Sequence, residues 1–120
     1  MRNTGKIILI TGSGRRIGKE LVLGLSKIDK NYKFILHYNN SSKEVQSLIN
    51  KIRKDGISAK PIKFNLLETE KIKSFAHEAE KLYGRIDVLI NNASIFKAKK
   101  FNKISNKDLD EMIDVNLKAP

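Results

Sequence analysis

Short apolar runs alternate along this chain with longer stretches in which apolar residues return every three or four positions. The runs are Ile7 to Ile10, Phe34 to Tyr38, Ile62 to Phe64 and Ile86 to Ile90. Their brevity and β-branched content predict strands buried on both faces of a parallel sheet. After the second run, Val45, Leu48, Ile49 and Ile52 form one helical stripe, introduced by Ser41-x-x-Glu44, the pattern of a capping box. After the third, Ile72, Phe75, Ala76, Ala79 and Leu82 form another, which Gly84 terminates. A last helix is predicted from about Ser105, with Leu109, Met112, Ile113, Asn116 and Leu117 on one inward face. Strand and helix thus follow one another as βαβαβαβα, and right-handed crossovers turn that order into an α/β fold with a doubly wound parallel sheet.

The link between the first strand and its helix reads Thr11-Gly12-Ser13-Gly14-Arg15-Arg16-Ile17-Gly18. A phosphate bound there needs backbone N–H donors, a helix N-terminus aimed at it and no side chains in the way. Gly12 permits the tight turn, Gly14 the close approach, and Gly18 the packing of the helix. Strand, glycine turn and helix in that order point to a dinucleotide pyrophosphate site.

Composition narrows the alternatives. The 120 residues suffice for one domain, and 40% hydrophobic content supports a modest core. Cysteine is absent, which excludes disulfides and thiolate metal sites, and His37 and His77 lack ligand spacing, so no metal site is expected. The apolar run after the charged N-terminus is too short for a signal core or a membrane span, so a soluble cytoplasmic protein is expected. The net charge of +11 raises nucleic acid as a partner. Lysines spread along the whole chain argue against it, and neither nucleic acid nor membrane is an expected partner.

With Asn91-Asn92-Ala93-Ser94 after the fourth strand and Asn116 on the following helix, the sequence resembles the N-terminal half of the short-chain dehydrogenase/reductase family. The family turn reads Thr-Gly-x-x-x-Gly-x-Gly, so Arg16 stands where the middle glycine usually sits. That arginine, His37-Tyr38 ending the second strand, and Asn-Ala-Ser followed by Phe96 look like the pteridine reductase branch. The resemblance implies a Rossmann-type sheet truncated after the fourth βα unit. Residues 1–120 would then be the N-terminal part of a single NAD(P)-binding domain whose C-terminal catalytic part is absent. The full-length form is expected to be a homo-oligomer acting on a small-molecule substrate.

An NAD-preferring site places a carboxylate at the end of the second strand, where it binds the ribose hydroxyl and repels a 2′-phosphate. Here the strand runs out through His37, Tyr38, Asn39, Asn40 and Ser41, with no acid before Glu44. Arg15 occupies a place where NADPH-dependent relatives carry a basic residue, and NADP(H) is therefore favoured over NAD(H). Ser41 is read both as an N-cap and as a phosphate contact, and the two are compatible. In the family, the position of Asn65-Leu66 lies against the adenine, and that of Asn92, Ala93 and Ser94 lines the ribose and nicotinamide. Cofactor binding is thus assigned to Gly12, Ser13, Gly14, Arg15, Arg16, Ile17, Gly18, the segment from His37 to Ser41, Asn65, Leu66, Asn92, Ala93 and Ser94. Arg16, Ser94 and Phe96 are assigned to substrate, Phe96 as a stacking face for a flat heterocycle or as a plain loop aromatic. Asn116 is the candidate catalytic residue, either holding a relay water or satisfying local backbone.

Hydride transfer leaves charge that a positioned acid must neutralise. In the family that acid belongs to a Tyr-x-x-x-Lys pair, and neither Tyr32, Tyr38 nor Tyr83 begins one. The expected function is an NADPH-dependent reductase of a pteridine or dihydrofolate-like substrate. The alternative is a non-catalytic nucleotide-binding fragment or pseudogene product.

Overall fold

The computed structural model describes residues 5–94 and 103–120. Four parallel strands, β1 (Ile7–Ile10), β2 (Lys33–Tyr38), β3 (Ser58–Lys63) and β4 (Val88–Ile90), form one sheet in the order β3-β2-β1-β4. They alternate with helices α1 (Arg16–Ile28), α2 (Ser42–Lys54), α3 (Ile72–Lys81) and α4 (Asn106–Ile113). The Rossmann-like α/β architecture is the one the alternating pattern predicts.

Period-two alternation in the central strands divides the core into two layers. Ile8 and Ile10 of β1 with Phe34 and Leu36 of β2 pack against Val22 of α1 and the α2 stripe of Val45, Leu48, Ile49 and Ile52. Ile7, Leu9 and Ile35 point the other way, toward Ala79 of α3. Burial on both faces explains why β1 reads as an unbroken apolar run and β2 as one interrupted only at His37.

The outer strands depart from that pattern. β3 starts at Ser58, four residues before the expected run, and pairs along β2 from Lys33 opposite Ser58 to Tyr38 opposite Lys63. As an edge strand it has one fully buried residue, Ala59, and it tolerates Pro61, whose missing N–H is harmless at an edge. β4 covers only three residues of the expected Ile86 to Ile90 and bonds only to β1 among the described residues. Leu89 is 51% exposed there, so β4 is not buried on both faces.

Two helix ends also differ. Ser41 is the N-cap of α2 but its side chain makes no cap, and the Glu44 carboxylate, the other half of the expected capping box, accepts from Arg15 instead. The box is found at α4, where Ser105 Oγ accepts from the Asp108 N–H and the Asp108 carboxylate accepts from the Ser105 N–H. Gly84, with φ +90°, ends α3 as expected and donates its N–H to the Glu80 carbonyl.

The inward face expected of α4 is corrected as well. Leu109, Asn116 and Leu117 are exposed, and Asp108 and Val115 are buried. The helix passes into a π-helical turn over Asp114–Lys118, and the buried positions Asp108 and Val115, seven residues apart, put the inward stripe one residue before the one through Leu109 and Asn116 that the apolar pattern suggests.

Candidate nucleotide-binding site

The glycine turn leaves β1 at the carboxyl end of the sheet and is held from two sides. On the β4 side, Thr11 Oγ1 accepts from the N–H groups of Asn92 and Ala93, each at 3.0 Å. Asn92 Nδ2 in return donates to the carbonyls of Thr11 at 3.2 Å and Gly12 at 3.0 Å. On the β2 side, the Gly12 N–H donates to His37 Nδ1 at 3.0 Å, and the Ser13 N–H and Oγ both donate to the His37 carbonyl at 3.1 Å. Burial lowers the His37 imidazole below its ordinary value of 6.5, opposed in part by its bond to the Phe64 carbonyl.

The three glycines have separate physical reasons. Gly12 has φ +64°, and a Cβ there would lie 2.8 Å from Ala93 Cα. A Cβ on Gly14 would lie 2.8 Å from Val45 Cγ2 and 2.9 Å from Ser41 Oγ. On Gly18 it would run into the Gly12 carbonyl oxygen, so α1 can approach the turn only with glycine there. Between them, Arg16 adopts φ +50°, the left-handed backbone that a glycine takes without strain.

Seven of the residues assigned to the cofactor from the sequence, Gly12 to Gly18, form the turn and the first residues of α1, bordered by Asn92, Ala93, His37 and Ser41. Ser13, Gly14 and His37 lie inside it, whereas Arg15, Arg16 and Ile17 are exposed on its rim. Arg15 is the N-cap of α1, its side chain provides no cap, and its Nη2 meets Glu44 Oε1 at 3.3 Å. Tyr38, Asn39 and Asn40 continue from β2 over the same end of the sheet. Asn65 forms a local turn, its Oδ1 accepting from the Leu67 N–H at 3.0 Å. Leu66 lines a cavity of about 180 Å³ with Leu9, Thr11, Phe75, Leu89 and Ala93. Ser94 is exposed beside this turn. Asn116 is exposed on the π-helical turn, and Phe96 lies outside the described residues.

Sequence reasoning missed three parts of this site. The His37 clamp, the Asn92 latch and the Arg15–Glu44 pair all join residues at least 25 positions apart. A histidine within an otherwise apolar strand was the one available signal. Among the described residues no group of His, Asp and Glu could hold a metal ion, and no helix is long and apolar enough to cross a membrane.

A parallel sheet with a glycine turn at its carboxyl edge and a helix without a side-chain cap behind it is the arrangement of nucleotide-binding α/β proteins. The family described as short chain dehydrogenase matches residues 6–120, and the chain belongs to that family. It is 30% identical over 115 residues to a trihydroxynaphthalene reductase of Pestalotiopsis fici, covering 96% of this chain and 40% of that protein. The crystal structure of a short-chain dehydrogenase from Burkholderia cenocepacia in complex with NADP superposes with a TM-score of 0.87 at 26% identity, over 97% of this chain and 46% of that one. The alternative dihydrofolate reductase 1 of Brucella suis, in complex with NADP, gives 0.84 at 30% identity, over 96% and 47%. The chain spans less than half the length of each of these relatives.

Proposed function

We propose that this chain is the NADPH-binding part of a short-chain reductase that acts on a pteridine or dihydrofolate-like heterocycle. The observation that carries the cofactor reading is the corner where the glycine turn meets α2. No carboxylate lies at the end of β2 before Glu44, and Arg15 and Ser41 border Gly14 there. The residues present fit a dinucleotide. Gly12 and Gly14 let the turn pack closely against Ala93, Val45 and Ser41, and α1 carries no side-chain cap to compete for its first-turn N–H groups, which are the donors a pyrophosphate needs.

A bound nicotinamide supplies the hydride. The chain's own residues would do the holding: the amides of the turn and α1 on the pyrophosphate, Arg15 and Ser41 on the 2′-phosphate, and Asn92, Ala93 and Ser94 along the ribose. The substrate class is supported by Arg16 and Ser94 at positions where the pteridine reductase branch carries them, and by the likeness to a dihydrofolate reductase. Fluorescence titration with NADPH and NADH tests the cofactor. Micromolar NADPH binding at least tenfold tighter than NADH is expected, and no binding of either at millimolar concentration refutes the reading. Dihydrobiopterin or dihydrofolate should then raise NADPH affinity; indifference to both removes the substrate class.

A second reading, cofactor binding without turnover, applies to residues 1–120 taken by themselves, which contain no Tyr-x-x-x-Lys pair. It predicts the same titration with no NADPH oxidation in the presence of substrate.

A further inference from the structure

His37 is a titratable side chain inside a strand of apolar residues, 2% exposed, with Phe34, Ile35 and Leu36 before it. A buried neutral imidazole has one donor and one acceptor to satisfy. The Gly12 N–H meets Nδ1 at 3.0 Å and the Phe64 carbonyl meets Nε2 at 2.9 Å. A backbone N–H can only donate and a carbonyl can only accept. The proton therefore sits on Nε2 and the lone pair on Nδ1. From α3, the Phe75 ring packs edge-on at 5.4 Å. The turn, the residue after β3 and α3 thus face the imidazole with an amide, a carbonyl and a phenyl ring.

We propose that His37 is a positioning residue for the cofactor's pyrophosphate: its Nδ1 lone pair fixes the Gly12 amide and, through it, the course of the glycine turn. The inference rests on the dinucleotide reading of that turn. Two further bonds reinforce the clamp, because the Ser13 N–H and hydroxyl both end on the His37 carbonyl. Gly12 lies in the left-handed region, where the backbone has alternatives, and the imidazole selects one of them. The side chain acts from beneath the turn, touching its backbone and leaving the ligand face to N–H groups.

Three variants separate this role from simple core filling. In His37→Asn, Oδ1 stands as many bonds from the backbone as Nδ1 does and can still accept from Gly12. In His37→Gln, Nε2 matches the imidazole Nε2 and can still donate to Phe64, but nothing faces Gly12. His37→Phe keeps volume and loses both bonds. Amide hydrogen exchange at Gly12 and NADPH titration are read on each. The Asn variant should hold Gly12 protection and NADPH affinity within about threefold of the parent, and the Gln and Phe variants should each lose roughly tenfold in both, the size of one buried hydrogen bond. Equal protection and affinity in the parent and the Phe variant overturns the proposal. If the variants do not fold, nitrogen NMR of the parent imidazole decides: a protonated Nε2 with a bare Nδ1 upholds the clamp, and a protonated Nδ1 sinks it. A parent that binds no NADPH refutes the cofactor reading, and the Gly12 exchange data still decide whether His37 sets the turn.

Discussion

Replacing Arg15 by alanine should change which nicotinamide dinucleotide the protein prefers. Arg15 caps α1 with an extended backbone (φ −140°), a conformation alanine adopts freely, so the substitution removes a guanidinium and little else. A hydrogen bond from a cation to a phosphate contributes about 1.5–3 kcal/mol when shielded. The Arg15 side chain is 62% exposed, and solvent screening brings that to about 1–1.5 kcal/mol, a loss of roughly five- to twelvefold in NADPH affinity. NADH carries no 2′-phosphate and should bind as before. Glu44 supplies the control. Its carboxylate occupies the guanidinium at 3.3 Å, and an exposed pair of this kind is worth at most about 1 kcal/mol, so Glu44→Gln should tighten NADPH by up to roughly fivefold. Both titrations belong at low and high salt, because these effects shrink with screening. An Arg15→Ala protein whose ratio of NADPH to NADH affinity equals the parent's would refute the assignment, as would weaker NADPH binding by Glu44→Gln.

Gly18→Ala should destabilise the fold by about 2–4 kcal/mol, through overpacking and loss of the Asn92 latch, since its Cβ would lie 2.7 Å from Asn92 Nδ2 and against the Gly12 carbonyl; urea denaturation measures it, and an unchanged midpoint contradicts the packing described. Arg16→Gly should stabilise by about 0.5–1 kcal/mol, the relief of a left-handed backbone at φ +50° less the extra chain entropy of glycine, and a lowered melting temperature would count against strain there. His37 titrates below its ordinary value because it is buried, so its neutral form is favoured in the folded state. Its contribution to stability should be complete above pH 6.5 and decline as pH falls from there toward its folded value, by at most about 1.4 kcal/mol per pH unit. Denaturation series from pH 8 to pH 5 should show that slope in the parent and lack it in His37→Phe; parallel slopes would exclude His37 as its source.

The elements legible in the sequence are those whose burial is symmetric. β1 and the middle of β2 are covered on both faces, so apart from Lys33 and His37 their positions are apolar or aromatic and their bounds are evident within a residue. The α2 stripe is equally clear, because one helix face meets one sheet face. At an edge the logic weakens: Ser58, Pro61 and Lys63 of β3 are exposed while the strand's backbone completes the ladder to β2, and no side-chain pattern records a main-chain bond. α4 misled for a different cause. Its apolar pattern selects a face containing Leu109, Asn116 and Leu117, but the buried stripe runs one residue earlier through Asp108 and Val115, and a carboxylate that closes a capping box gives no apolar signal of burial.

At the site, the sequence indicates where bare backbone is required and is silent on what holds it. Glycine is diagnostic because the absence of a Cβ is a property of one residue, visible without knowing any partner; Gly12, Gly14 and Gly18 could be interpreted singly. A clamp is a property of two. Ser41-x-x-Glu44 shows the difference: the local pattern offers Glu44 a capping role worth about 1 kcal/mol, and a cation brought alongside by the fold offers it a charge of opposite sign. Local sequence counts only the first option, and the structure adopts the second. The same reasoning applies to His37, whose identity is explained only once β1, β2 and the end of β3 are side by side and one ring must join a donor on one to an acceptor on the other. Phosphate-binding turns should therefore be located from their glycines and their support sought in the buried polar residue of the neighbouring strand, where an imidazole among isoleucine and leucine has no apolar reason to be.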